Sequence, residues 1–335
     1  MSYIFKEAAM NRYNITFSIN REYLLFAMIT LYSLLKNNQK HYFDVYILHD
    51  NCIKQSEIDK ICSEFPLNQF NNFKIHLVDV STFDMLKEMI KDFPERLHLS
   101  KETYFRLFMP YLLPNVDKIL HLDTDVLVRG DITDFLNTDM GNNLFLADRY
   151  YYNTYDAPRD DYTKLGYCAG VLYLNLQELR KQDFLDNFKK EFKLNNKLDE
   201  EQFMNKVYLD KIMATPENYV YTIGFRSPRK LHTNTKIIHY IALKPYVLQR
   251  FKTKDLTRKG IKEYFPYLED FIEPKFKWQF KLIKYYVFSF GSTVNSLERR
   301  VRSEWNKRIL KKDNFYAKSN WFTSRIHKYA IIKKS

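Results

Sequence analysis

Over its first 122 residues the chain alternates short apolar runs with stretches of helical period, and this alternation constrains the fold more than any other feature. Residues 14–19 (NITFSI) read as a strand and 22–36 as an apolar-rich helix. A second strand at 44–49 (DVYILH) precedes a helical period over 54–65, and a third strand follows at 73–80 (FKIHLVDV). Residues 101–113 read as a helix closed by Pro114, ahead of a fourth strand at 117–122 (DKILHL). Such alternation predicts an α/β domain with a mainly parallel sheet, in which ligands collect at the carboxyl ends of the strands. From about Asn143 the pattern is mixed: 144–147, 170–174 (GVLYL) and 237–241 (IIHYI) read as further strands. The Tyr-, Asp- and Pro-rich stretch 150–167 reads as a loop at an active-site rim.

Glycine narrows the chemistry. There are only 7 among 335 residues, none in a GxG spacing, so the dinucleotide fingerprint and the phosphate-cradling loop are both excluded. A nucleotide bound here needs another source of positive charge for its phosphates. The formal net charge of +13 does not supply it evenly. Residues 1–249 hold 31 basic and 32 acidic side chains, whereas 250–335 hold 22 and 8. The basic character is therefore local to the last quarter, which weakens a nucleic-acid reading of the whole chain. The 26 Tyr and 27 Phe supply ample core material. Three cysteines without CxxC spacing read as reduced thiols of a cytosolic protein. The N-terminus has no continuous apolar segment of the secretory kind, and no stretch approaches the length of a membrane-spanning helix.

The strongest local signal is KILHLDTDVLV at 118–128, where an apolar strand runs straight into Asp123-Thr124-Asp125. Two carboxylates two apart on an extended segment face opposite ways, but a turn at the strand end brings both to one hard cation, with diphosphate oxygens completing its shell. The competing reading is a capped strand end with solvated aspartates.

Here the sequence resembles a known family, the family-8 retaining glycosyltransferases, which include bacterial lipooligosaccharide galactosyltransferases and glycogenin. The resemblance is carried by SKETYFRLFMPYLLP followed by DKILHLDTDVLVRGDI, by ITFSINREY near the start, and by CAGVLYLNL, EEQFMN and IIHYIALKPY in that order, from about Asn14 to Tyr246. It implies a GT-A type nucleotide-diphospho-sugar transferase fold. It also implies Mn²⁺, with Mg²⁺ as an alternative, held by Asp123, Asp125 and His239; on its own, a histidine on a short strand such as His239 is more often packed in the core. The donor would be UDP-galactose or UDP-glucose and the acceptor a glycan or glycolipid.

The same resemblance places Ser18, Asn20 and Tyr23 at the uridine, Arg106, Thr124 and Ala169 at the sugar nucleotide, and Lys244 at the diphosphate. Three departures stand out. Asn20 replaces a frequent aspartate. Cys168 replaces the asparagine of an NAGV run. The histidine-to-lysine spacing is shortened by one, with Ala242 for glycine. Glu200 and Glu201 fall where an acid and then a glutamine are usual near the anomeric carbon, with Gln202 where a further acid is usual; LDEEQ is also a good first helical turn. A carboxylate at Glu201 admits a covalent intermediate, and a front-face path needs charge stabilisation alone.

The expected organisation is a catalytic domain over 1–250 and a basic, aromatic, helical extension over 251–335. Within the latter, LERRVRSEWNKRIL at 297–310 places Leu297, Val301, Trp305 and Ile309 at a spacing of four among arginines and lysines. That pattern predicts attachment to an anionic membrane surface, against a helix packed on the catalytic domain or a nucleic-acid site. The sequence expectation is thus a cytoplasmic enzyme, peripheral on the inner face of the plasma membrane, building a surface glycan such as lipopolysaccharide, with no nucleic acid involved. A degenerate domain serving as a membrane- or nucleic-acid-binding adaptor is the alternative.

Overall fold

The structure is a computed structural model, and it describes residues 10–84, 100–151, 165–196, 198–223, 231–241 and 256–271. The chain divides into two compact units, Met1–Thr222 with His232–His239, and Ile223–Leu231 with Tyr240–Ser335.

In the first unit the predicted alternation produces β1 (Arg12–Ser18), β2 (Tyr42–His49), β3 (Phe73–Asp79) and β4 (Lys118–Leu122). These four pair side by side in parallel, in the order β3-β2-β1-β4. The chain leaves β1 toward β2 and β3 and then returns to β1's other flank as β4, so the sheet has a topological switch between β1 and β4. Crevices at such points are where α/β sheets bind ligands. Beyond β4 the sheet turns antiparallel through β7 (Leu165–Asn175) and β6 (Phe145–Tyr151), and ends with β8 (Ile212–Ala214) parallel to β6. A second sheet has β10 (Ile237–His239) between β5 (Val126–Val128) and β9 (Val220–Thr222).

Helix α1 (Leu24–Asn37) is buried from Leu24 through Leu35, as expected of a helix apolar on every side. Its polar groups hold β5 in place: Thr30 Oγ1 donates to the carbonyls of Thr124 (3.2 Å) and Val126 (2.8 Å), and Asn37 Nδ2 to that of Val128 (3.0 Å). The turn carrying the two aspartates is thereby fixed from beneath. Helix α2 (Gln55–Glu64) is the predicted crossover after β2.

The aromatic residues concentrate where helices α3 (Phe184–Leu194) and α4 (Glu200–Val207) pack together. Phe184, Phe188, Phe203 and Tyr208 form a cluster with ring centroids 5.1–5.7 Å apart, joined in one core with Tyr104, Phe105 and Phe108.

Three sequence expectations are corrected. The helix expected over 101–113 is a 3₁₀ helix over Lys101–Phe108 followed by a single α-turn, Met109–Leu112. Pro110 has no N–H to give the Arg106 carbonyl, which instead accepts from Met109 N–H three residues on. The loop expected at 150–167 is strand at both ends, in β6 and β7, and its middle lies outside the described residues. The strand expected over 237–241 stops at His239. In the second unit a helix spans Leu256–Asp270, and Tyr240 meets Tyr264 edge-on at 5.7 Å.

Candidate active site

At the carboxyl end of β4 the backbone turns through Asp123 and Thr124 into Asp125, and β5 then runs antiparallel to β10 with Val126 opposite His239. This turn resolves the problem of two carboxylates on an extended segment. One ligand atom from each of Asp123, Asp125 and His239 lies within 4.8 Å of the others. His239 Nε2 is 3.7 Å from Asp123 Oδ2 and 3.5 Å from Asp125 Oδ1. Asp125 and His239 are buried, while Asp123 is partly open.

Strand β7 passes beside this cluster, and Gly170 is the point of closest approach. Its carbonyl accepts the Asp123 N–H (2.8 Å). A Cβ there would stand 2.1 Å from His239 Cε1, 2.4 Å from Nε2 and 2.8 Å from Asp123 Oδ2. Glycine is required for close approach rather than for any unusual dihedral.

Behind the ligands, Cys168 Sγ lies 3.4 Å from His239 Nδ1. Burial pushes the Cys168 thiol well up, and the charge of Glu201 adds to it, so it stays a neutral thiol. Burial also pushes the Asp123 carboxyl up, but Arg106 and a hydrogen bond from His121 outweigh it and hold the group well below the ordinary carboxylate value. Asp123 is therefore an anion.

On the other side of β7 lies a second charged cluster. The Arg106 side chain donates through Nη2 to Asp123 Oδ1 (2.9 Å), through Nη1 to the Ala169 carbonyl (2.6 Å) and through Nε to the Thr103 carbonyl (3.0 Å). Glu200 Oε1 is 3.6 Å from the same guanidinium. Burial pushes the Glu200 carboxyl up to about 8 against the pull of Arg106, and its Oε2 is buried without a partner. Glu201 Oε2 accepts the Ala169 N–H (2.9 Å).

Both readings of LDEEQ hold at once. Asp199 and Gln202 form a reciprocal cap on α4, and the first turn so fixed presents Glu200 and Glu201 to β7. Gln202 is accounted for by that cap. Asn205 docks the helix: its side chain accepts from Tyr167 N–H (2.7 Å) and donates to the Tyr167 carbonyl (2.8 Å).

Of the remaining predicted residues, Ser18 stands at the carboxyl end of β1 with its buried Oγ lacking a partner. Asn20 Oδ1 accepts Glu22 N–H (3.0 Å), capping the turn that carries the half-exposed Tyr23. Thr124 is buried in the aspartate turn. Lys244 lies outside the described residues. The sequence reading overlooked His121, whose Nε2 is 3.1 Å from Asp123 Oδ1. It also overlooked the packing role of Gly170 and the docking role of Asn205. His121 sits two residues before the first aspartate, the one local hint of its place.

A parallel sheet switched at β1/β4, with a carboxylate pair at the end of β4, is the GT-A architecture of sugar-nucleotide transferases. Solved structures agree on the fold. The galactosyltransferase LgtC, in complex with donor and acceptor sugar analogues, aligns over 79% of this chain and 99% of its own with a TM-score of 0.60 at 18% identity. An active-site mutant of LgtC with glutamate in place of a glutamine gives 0.61 at 19%, with the same coverage.

The family model for glycosyl transferase family 8 matches residues 14–246. The chain belongs to this family and is a hexosyltransferase. Lipopolysaccharide 1,2-glucosyltransferase from Escherichia coli is 24% identical over 256 residues, 70% of this chain and 73% of that one. Glycosyltransferase GlyE from Streptococcus pneumoniae is 29% identical over 132 residues, 38% of this chain and 30% of its own length. No helix among the described residues is long and apolar enough to cross a membrane.

Proposed function

We propose that this enzyme transfers galactose or glucose from a UDP-sugar, with Mn²⁺, to a growing surface glycan such as lipopolysaccharide, keeping the sugar's α configuration. The observation that carries the reading is the approach of Asp123, Asp125 and His239 within 4.8 Å, beside a glycine whose missing side chain leaves the space clear. Two carboxylates and an imidazole suit Mn²⁺, which accepts both oxygen and nitrogen ligands, and the two anionic charges match a divalent ion. Bound there, it would act as a Lewis acid on the diphosphate and make UDP a better leaving group.

The chain's own residues do the rest. Ser18, Asn20 and Tyr23 receive the uridine at the carboxyl end of β1. Arg106 neutralises the side of Asp123 turned away from His239 and carries Ala169 on its other nitrogen. Lys244 supplies the second positive charge to the diphosphate, the role for which the glycine-poor sequence offers no loop. Glu200, a neutral acid at pH 7, offers a hydroxyl hydrogen to the donor sugar. Glu201, one oxygen engaged by a backbone N–H, stabilises positive charge developing at the anomeric carbon.

The expected division of labour is a catalytic domain over 1–250 and an extension over 251–335 that attaches to an anionic membrane from the cytoplasmic side. The homology to a lipopolysaccharide glucosyltransferase supports an acceptor held at such a membrane, and the local excess of 22 basic over 8 acidic residues supports the attachment.

Thermal unfolding with UDP, titrated with and without Mn²⁺, tests the site. Stabilisation that needs both is expected, and none would leave the chain a degenerate adaptor. Co-sedimentation of the whole protein with anionic but not neutral vesicles tests the attachment, and equal recovery with both would remove it.

A further inference from the structure

Asp123 offers two carboxylate oxygens, and their surroundings differ completely. Oδ2 faces His239 Nε2 at 3.7 Å, across the space left by Gly170. Oδ1 receives two donors, Arg106 Nη2 at 2.9 Å and His121 Nε2 at 3.1 Å. A carboxylate oxygen in this position only accepts, so the imidazole hydrogen is on Nε2. His121 is fully buried in β4, two residues before Asp123 on the same strand, with Thr16 of β1 beside it in register. Its other ring nitrogen, Nδ1, is buried without a partner.

An imidazole kept in a central strand at the cost of an unpartnered nitrogen calls for an explanation, because burying such a group is unfavourable. Its Nε2 contact supplies one. A carboxylate can rotate about its last bond and present one oxygen or both to a cation. Two donors arriving on Oδ1 from different elements, β4 and the 3₁₀ helix over Lys101–Phe108, stop that rotation. Partners that hold a ligand from behind commonly set how tightly a metal binds.

We propose that His121 is a positioning residue of the cation centre: its Nε2–H holds Oδ1 of Asp123, so that Oδ2 alone is presented toward His239. The inference rests on the cation reading above and adds to it a residue outside the ligand set. Arg106 supplies charge to the same oxygen; His121 supplies direction.

The test is Mn²⁺ binding to the whole protein at saturating UDP, followed by electron paramagnetic resonance, which distinguishes the ion bound at the protein from the free aqua ion and from Mn²⁺–UDP in solution. His121→Phe keeps the ring and removes the donor, and is expected to weaken binding about 10–100-fold. His121→Gln restores an N–H near the place of Nε2 and is expected to recover most of that loss. A merely structural role would lower the unfolding temperature of the metal-free protein and leave the affinity of the folded fraction unchanged, which overturns the proposal. Equal binding by the Phe and Gln variants overturns it too. Should His121→Phe not fold, His121→Asn replaces it: the shorter amide falls short of Oδ1, and binding as tight as that of the Gln variant would be the refuting result. A wild type that binds no Mn²⁺ refutes the cation reading itself, and is recognised because every variant then behaves alike.

Discussion

In the parallel half of the large sheet, β1 and β2 pair over seven consecutive positions without interruption, and Ile15, Phe17, Val45 and Ile47 are fully buried between covering layers. Around β7 the same sheet is irregular. The β6–β7 register shifts between Ala147 and Arg149, a glycine leaves room that a histidine takes, and three acidic side chains surround one arginine. The first region holds hydrocarbon in a dry, repetitive frame. The second uses that frame's edge to bring acidic groups together, with Arg106 set against Asp123 and Glu200. The difference teaches that stability and chemistry are assigned to different strands of one sheet, so each can be perturbed alone.

The largest expected effect is on the charged side. Asp125→Asn removes one anionic ligand from a buried position and should lower kcat/KM on the order of 10³-fold, read as UDP release from UDP-galactose or UDP-glucose, with little change in unfolding temperature. A comparable loss of stability would blur the proposed division. Next comes the apolar side: Ile15→Ala should cost about 3 kcal/mol in denaturant unfolding while the Mn²⁺ concentration for half-saturation stays put. A shifted metal affinity would show that the two regions are mechanically coupled.

The effect that is smallest per step, read one pH unit at a time, concerns Glu200. Glu200 ionises at about 8 in the folded chain and in the ordinary carboxylate range when unfolded. Between those values the folded state keeps a proton that the unfolded state has lost, so the contribution of Glu200 to stability falls as pH rises through that window. Glu200→Gln removes the slope. From about pH 5 to pH 8 the wild type should lose stability relative to this variant by roughly 1 kcal/mol per pH unit, and parallel profiles would contradict a buried, protonated Glu200.

The same contrast explains what the sequence disclosed. β1 to β4 were legible because their signal is local: each apolar run is long enough for its period to show, and each is followed by its own turn or helix. Strands β8 and β9, of three residues each, have no period to read and exist through their partners. Asp123 and Asp125 were visible as a pair two apart at a strand end. His239 was visible through resemblance to a family motif and ambiguous by itself. His121 was hidden inside an apolar strand pattern, where a histidine reads as core. The docking role of Asn205 was hidden because its clamp on Tyr167 spans 38 residues. The 3₁₀ helix at Lys101–Phe108 ends where Pro110 has no N–H to give the Arg106 carbonyl, a backbone effect that side-chain periodicity cannot carry.

Strand β10 occupies the middle of the small sheet, with β5 on one side and β9 on the other. Synthesis runs from the N-terminus, so both aspartates and β5 leave the ribosome long before Ile237–His239 does. Until then β5 and β9 have no common neighbour to join them, and the carboxylate pair has no imidazole. The parallel half can be a folded body while the protein is still being made, but the centre that would act on a sugar nucleotide closes only once that late segment is inserted. A nascent or prematurely ended chain is thus left with the frame and without the third ligand.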